Sequence, residues 1–290
     1  MASSDASADT TTVTAAPVPA TVTAELPLGD DPVLGKEVGG YRLVRRLGEG
    51  AMARVYLGEH PRKGLAALKV PHTFARPLYE EASAAMAVHH PHVVETWGLC
   101  SAPWGCACLT MEYVDGRPLK ALMHGSLPRL VAVSLIRQLC GAVGAAHRCG
   151  VVHCDLKPTN VLLMQQGGDR YYVKLLDFGI AQGPGIPPRA PGMVVGTPRY
   201  MSPEQGRGDP VDARTDVFAI GVMAYELLTG RHPFPDRPEE LPRPPIDVVP
   251  TMSPQLSAAI MRALAPNPKD RFADAAEFEL ALSHPGIAHH

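Results

Sequence analysis

The stretch His153-Cys-Asp-Leu-Lys-Pro-Thr-Asn160, followed downstream by Asp177-Phe-Gly179, decides how the rest of this 290-residue chain is read. It sets a carboxylate (Asp155), an ammonium (Lys157), a side-chain amide (Asn160) and a second carboxylate (Asp177) close together in the chain. Phosphoryl transfer from a nucleotide needs such a set. One carboxylate meets the accepting hydroxyl, a cation sits beside the phosphates, and oxygen side chains hold Mg²⁺. Chance would seldom produce these residue types at these spacings.

Upstream lies Gly48-Glu-Gly-Ala-Met-Ala-Arg-Val55, a G-x-G-x-x-A-x-V loop. Its two glycines let the backbone fold close over phosphates with N–H groups facing the oxygens. Dinucleotide-binding folds use a similar string, but there the loop opens a helix and an acid follows about 20 positions on. Here the sequence after the loop alternates like a strand, and the residue at that distance is Lys69, within Ala67-Leu-Lys. Strands are expected at Tyr41–Leu47, Arg54–Leu57, Leu65–Val70 and Leu109–Val114, and a helix near Glu80–Val88. Beyond Asp115-Gly116 the apolar spacing turns helical, over Leu130–Cys149 and Val211–Thr229. A β-rich first third before a helical remainder implies two lobes with a cleft between them.

Together these motifs identify the chain as similar to the eukaryotic-like Ser/Thr protein kinases of bacteria, over about residues 40–282. The resemblance implies an α+β, two-lobed fold: a small β-rich N-lobe (about 40–114), a larger, mainly helical C-lobe (about 115–283) and an ATP cleft between. It implies ATP and Mg²⁺ (with Mn²⁺ as the alternative ion) as cofactors and proteins with Ser/Thr acceptors as substrates. Lys69 resembles the lysine that grips the α- and β-phosphates. Its helix partner is placed at Glu81, with neighbouring Glu80 as runner-up. Leu47, Gly48, Glu49, Gly50 and Ala51 would form the phosphate loop. Met111 looks like the gatekeeper, and Glu112, Tyr113 and Val114 like the hinge that meets adenine through its backbone. Val55 and Ala67 would cover adenine from above and Leu162 from below, although plain strand core predicts the same residue types. Asp155 would orient the substrate hydroxyl, Lys157 would sit beside the γ-phosphate, and Asn160 and Asp177 would hold Mg²⁺. Thr197 resembles the residue linking the substrate loop to the catalytic aspartate. Glu204 is expected to pair with Arg271, Asp216 to anchor the catalytic loop, and His153 to stack beneath Phe178.

The sequence departs from that family at one linked pair of places. Cys154 stands where regulated kinases carry an arginine that meets a phosphate on the activation segment. From Gly179 to Gly196 there is no Ser, Thr or Tyr to receive one. Both halves of the usual switch are missing, so activity independent of activation-segment phosphorylation is expected. A redox role for Cys154 is the weaker alternative, because the adjacent charge is Asp155 rather than a cation. Ala53 replaces a third loop glycine, and Thr159 stands where Arg-preferring kinases carry an acid.

Composition sets the outer limits. A net charge of −2 gives no reason to expect a nucleic-acid partner, and 46% hydrophobic with 19% charged residues suits a globular chain. Residues 1–35 hold five acids, nine Ser/Thr and no Lys or Arg, and read as a disordered acidic tail. Residues 284–290 read as a short tail. The six cysteines show no paired C-x-x-C clusters and read as reduced, mostly buried thiols. With no secretion signal and no expected membrane span, a cytoplasmic location is expected. Thirty prolines are about twice the usual ~5%. Five fall in 184–198 and eight in 233–254. The rival to an active kinase is a pseudokinase-like nucleotide-binding or scaffolding module; against it stand Lys69, Asp155 and Asp177, all present. A small-molecule phosphotransferase is disfavoured by Gly196-Thr-Pro-Arg-Tyr-Met-Ser-Pro-Glu204, which resembles a protein-substrate platform.

Overall fold

The structure, a computed structural model, describes residues 31–50, 52–72, 77–123, 127–178, 181–184, 186, 192, 194–234 and 242–288. Most of the expected N-terminal tail, and Ala51 of the phosphate loop, lie outside the described residues.

Among the described residues there are nine strands: β1 (Glu37–Val38), β2 (Tyr41–Glu49), β3 (Ala53–His60), β4 (Gly64–Pro71), β5 (Thr96–Ser101), β6 (Ala107–Glu112), β7 (Arg117–Pro118), β8 (Val161–Gln166) and β9 (Asp169–Leu175). Eight α-helices accompany them there: α1 (Pro77–Ala87), α2 (Arg129–Arg148), α3 (Pro203–Arg207), α4 (Ala213–Thr229), α5 (Pro245–Val248), α6 (Pro254–Ala263), α7 (Ala275–Leu282) and α8 (Pro285–Ala288). The first six strands form one antiparallel sheet in the order β1-β2-β3-β4-β6-β5.

Alternation along the strands gives that sheet two chemically different faces. Tyr56, Leu68, Val70, Leu43 and Cys108 point into one core, which also takes in Cys106. The opposite face carries Val55 directly across from Lys69, and Ala67 across from Met111. Helix α1 covers part of this second face, where its Leu78 and Ala82 pack on Leu109. A single lysine thus sits on an otherwise apolar face and needs a buried partner.

The C-terminal half is built around α4. Thirteen of its 17 residues are buried, so it is wrapped on all sides rather than amphipathic. Asp212 caps its start through the Arg214 N–H, and Gly230, at φ 70°, ends it in the left-handed region that an L-residue adopts at a cost. Helix α2 packs on α4, α7 and β9. It is long and apolar enough to cross a membrane by length and composition, but most of it is buried inside this core.

Three features differ from the sequence reading. A three-stranded sheet, β7-β8-β9, lies within the expected helical remainder. Residues 33–35, assigned to the tail by composition, are packed: Val33 and Leu34 lie against the N-lobe core, and the Gly35 N–H donates to Leu43 O at 2.8 Å. Residues 285–288, assigned to the C-terminal tail, form α8, and Ile287 is buried in the large core. Two or three apolar side chains suffice to dock such short segments, at about 1.5–3 kcal/mol each when fully buried, and composition averages do not register so few residues. Cys106, Cys108, Cys140 and Cys154 are buried, Cys100 is half-buried and Cys149 is exposed.

Candidate active site

The site grows from the lysine on the sheet. Lys69 Nζ donates to Glu81 Oε1 at 2.6 Å and to Asp177 Oδ1 at 2.8 Å. Helix α1 thereby presents Glu81, not Glu80, one position and about 100° around the helix away. Burial and the shared cation shape the titration of this trio. Burial pushes the Glu81 carboxyl up to about 7, because Lys69 only partly offsets the loss of water and Asp177 adds a second negative charge. Burial alone would raise Asp177 too, but there the Lys69 ammonium prevails and holds the carboxyl at about 2. Two carboxylates compete for one ammonium, and the three groups titrate as a unit.

Asp177 connects to the catalytic loop through the backbone. The neighbouring Leu176 N–H donates to Asn160 O at 2.8 Å, and the Asn160 side-chain amide donates to Asp155 O at 3.0 Å. His153 packs against Phe178 with ring centroids 5.1 Å apart and the planes tilted by 41° rather than stacked, and its Nε2 lies 3.1 Å from Leu176 O. Asp155 then gathers the remaining groups. Thr197 Oγ1 donates to its Oδ1 at 2.7 Å, Lys157 Nζ donates to its Oδ2, and Lys157 also reaches Thr197 Oγ1 at 3.1 Å. The polar network therefore has two clusters, Glu81–Lys69–Asp177 and Asn160–Asp155–Lys157–Thr197, joined through the backbone of Leu176 beside Asp177.

Two non-glycine residues have positive φ among the described residues: Cys154 at 65° and Asp177 at 61°. Each conformation costs on the order of 1–3 kcal/mol and persists only where neighbours impose it. Asp216 is one of those neighbours, accepting the His153 N–H at 2.8 Å and the Cys154 N–H at 2.9 Å. Burial works against its charged form, but His147 and His153, the latter also through its N–H, hold the carboxyl below the ordinary range. His147 was not anticipated. It lies on α2 with Nε2 2.9 Å from Asp216 Oδ2, while its Nδ1 accepts the Ala275 N–H. A lone histidine on an apolar helix face gives no sequence signal.

The loop residues lie at the mouth of the sheet. Gly48 pairs with Val55 and Glu49 with Arg54 in the β2–β3 register, and Leu47 is half-buried beside them. The Glu49 carboxylate is engaged by Arg46 and Arg54, each at 3.0 Å, so only its backbone is available to a phosphate. Gly50 closes the turn, with its N–H on Ala53 O and its carbonyl 2.9 Å from His72 Nε2. A Cβ built on Gly48 would meet nothing within 4 Å, which is the open space a phosphate cradle requires. Among the residues expected to form the hinge, Val114 is buried, and the Glu112 side chain accepts from Lys174 at 2.8 Å and from the Glu95 N–H at 3.2 Å. That tie to β9 was not foreseen. Leu162 sits on β8, opposite Lys174 on β9.

Around the site, Arg271 and Glu204 form a buried bidentate pair at 2.7 and 2.9 Å, the partnership expected from the sequence. Glu226, buried on α4, accepts from Arg199 at 2.6 Å and from Tyr200 at 2.9 Å, a contact the sequence did not suggest.

A two-lobed α+β frame carrying this polar network belongs to the protein kinase class, and residues 41–285 match the protein kinase domain family, to which the chain belongs. The chain is 42% identical over 274 residues to the serine/threonine-protein kinase Pkn1 of Myxococcus xanthus, with 87% of this chain and 39% of that protein covered. It is 36% identical to PknB of Mycobacterium tuberculosis, with 83% of this chain and 42% of that protein covered. The chain thus spans about two fifths of the length of these relatives. Among solved structures, it resembles the kinase domain of Mycobacterium tuberculosis PknI, with a TM-score of 0.67, 32% identity, and 86% of this chain and 97% of that one covered.

Proposed function

We propose that this chain transfers the γ-phosphoryl group of ATP to serine or threonine hydroxyls of protein substrates. The observation that carries the reading is the polar network of two clusters, Glu81–Lys69–Asp177 and Asn160–Asp155–Lys157–Thr197, linked through the Leu176 backbone. It gathers a phosphate-directed cation, two oxygen donors for a metal and a carboxylate for the acceptor. The donor set fits Mg·ATP: Asn160 and Asp177 supply the hard oxygens Mg²⁺ prefers, and Gly48 leaves room above the loop. Among the described residues no group of three or more His, Cys, Asp or Glu is placed to hold a metal. Asn160 and Asp177 would therefore share the ion with phosphate oxygens and water. When bound, the metal neutralises charge on the phosphates.

Each protein group has a role in this reading. Glu81 holds Lys69 toward the α- and β-phosphates. Asp155 orients the acceptor hydroxyl and takes its proton as the bond to phosphorus forms. Lys157 faces the transferring group, and Thr197 keeps the Asp155 carboxylate in register with the substrate loop. The test is transfer of γ-phosphate from ATP to a generic Ser/Thr protein substrate, with Asp155→Asn as control. Nucleotide binding without transfer by the unaltered chain would overturn the reading and leave a binding module.

Two further expectations follow. The kcat/KM for ATP reports the free enzyme. Glu81 loses its proton as pH rises through about 7, so the ionised form that pairs with Lys69 predominates only above that value. The expected kcat/KM is about tenfold higher at pH 8 than at pH 6. A Glu81→Gln variant will be slower and will lack this limb; an identical limb in the variant assigns it elsewhere. Activation is the second. With no hydroxyl between Gly179 and Gly196 and Cys154 in the arginine position, enzyme treated with phosphatase is expected to keep its full rate. Loss of activity tracking a phosphate on Thr197 or Tyr200 would refute this.

A further inference from the structure

The catalytic loop of a chain lacking both the phosphate and its arginine still has to be held against the substrate platform. Cys154 immediately precedes Asp155 and occupies a strained conformation at φ 65°. Asp216 secures the N–H side of that residue at 2.9 Å. The carbonyl side is secured from a different element. Gln205 Nε2, on α3, donates to Cys154 O at 2.8 Å. Gln205 is itself buried, and its Oε1 accepts the Ser202 N–H at 3.1 Å and the Ser202 hydroxyl at 3.3 Å. Its backbone N–H returns to Ser202 Oγ at 3.4 Å, completing a capping box. One amide therefore uses its oxygen to build the helix start and its nitrogen to grip the catalytic loop.

The surroundings suit this arrangement. Gly196, at φ 135°, passes over the contact, and a Cβ there would lie 3.3 Å from Cys154 O and 3.5 Å from Gln205 Nε2. The neighbouring Glu204 carries the bidentate Arg271 pair, so the helix presenting Gln205 is anchored from behind. Thr197, next to Gly196, touches Asp155 directly.

We propose that Gln205 is a positioning residue for catalysis. By fastening the Cys154 carbonyl to the substrate platform, it holds Asp155 in place through a neutral hydrogen bond that needs no phosphate. The proposal rests on the kinase reading above and extends it to the control of that site. An amide needs no modifying enzyme, so the clamp is permanent, and the loop is ordered as soon as the chain folds.

Gln205→Glu tests the clamp selectively. The introduced carboxylate keeps both acceptor contacts to Ser202 but cannot donate to Cys154 O while ionised; protonated, it can. In the full chain at pH 8 the variant is expected to lose about tenfold in kcat with little change in KM for ATP. The ratio of variant to unaltered kcat should recover as pH falls toward 6. Gln205→Leu, which removes donor and acceptor together, should lose kcat at every pH without recovery. Amide hydrogen exchange at pH 8 supplies a readout independent of turnover: peptides over 153–157 should exchange faster in Gln205→Glu, and those over 213–229 should not. An unchanged kcat in Gln205→Glu, a loss that ignores pH, or unchanged exchange at 153–157 overturns the proposal. If the unaltered chain transfers no phosphate, the kinase reading fails, while the exchange experiment still decides whether Gln205 holds the loop.

Discussion

An Asp155→Asn variant will fold, bind nucleotide, and transfer phosphate about a thousandfold more slowly than the unaltered chain, within the ~10²–10⁴-fold range for loss of a positioned proton acceptor. The substitution keeps the shape of the side chain, so Thr197 can still donate to its oxygen as it does at 2.7 Å. What disappears is charge and basicity. An amide cannot take a proton from the acceptor hydroxyl, and Lys157 loses the carboxylate it now contacts. Lys69 and Glu81, the pair assigned to the nucleotide phosphates, are held by each other and by Asp177 rather than by Asp155, so nucleotide affinity should change little. Single-turnover phosphate transfer, nucleotide titration by calorimetry and a melting curve separate the three quantities. A turnover close to that of the unaltered chain would remove Asp155 from the chemistry.

The largest stability effect is expected from Arg271→Met. Both members of the Arg271–Glu204 pair are buried, and the guanidinium also donates to Ala265 O at 2.7 Å, Arg214 O at 3.0 Å and Pro266 O at 3.1 Å. It lies 4.8 Å over the Phe218 ring. Removing one partner leaves a buried carboxylate without its counter-charge, a loss of about 3–5 kcal/mol. For a domain of this size that lowers the melting temperature by roughly 10 °C. Adding Glu204→Gln should restore part of it, since the stranded charge, more than the lost attraction, dominates the cost. The pH dependence has a definite sign. Arg271 and the Thr215 hydroxyl hold the Glu204 carboxyl below its ordinary value in spite of burial. The pair's contribution is therefore full above the unfolded value near 4.5 and fades as pH falls through the lower folded one. In Arg271→Met this acid-side loss should be smaller. A melting temperature within 2 °C of the unaltered chain, roughly under 1 kcal/mol, would show that the pair adds nothing.

Much of the site was legible because its residues lie in short, ordered motifs. Asp155, Lys157 and Asn160 share one loop, Gly48 and Gly50 share another, and Lys69 follows at a readable distance. Glu81 was preferred to Glu80 as the helix partner of Lys69, and Glu81 is the residue that Lys69 meets at 2.6 Å. Residues that act across long sequence separations were not legible. His147 meets Asp216 from another helix, Lys174 meets Glu112 from another sheet, and Arg199 with Tyr200 meets Glu226 from a loop. Each is an ordinary residue in its own segment. Strands β7 to β9 were missed for a related reason: they sit within a region whose long helices dominate the periodicity.

By itself the sequence determined the family, the order of the lobes and the set of chemical groups, because these depend on residue types at local spacings. It also determined that no hydroxyl stands between Gly179 and Gly196, and that Cys154 replaces the arginine. Only the tertiary structure decided how the loop is held without them. The Gln205 amide and the Cys154 carbonyl are 51 positions apart and meet at 2.8 Å. A hydrogen bond needs donor and acceptor within about 3.2 Å and aligned, and only the packing of α3 beneath the catalytic loop sets that geometry.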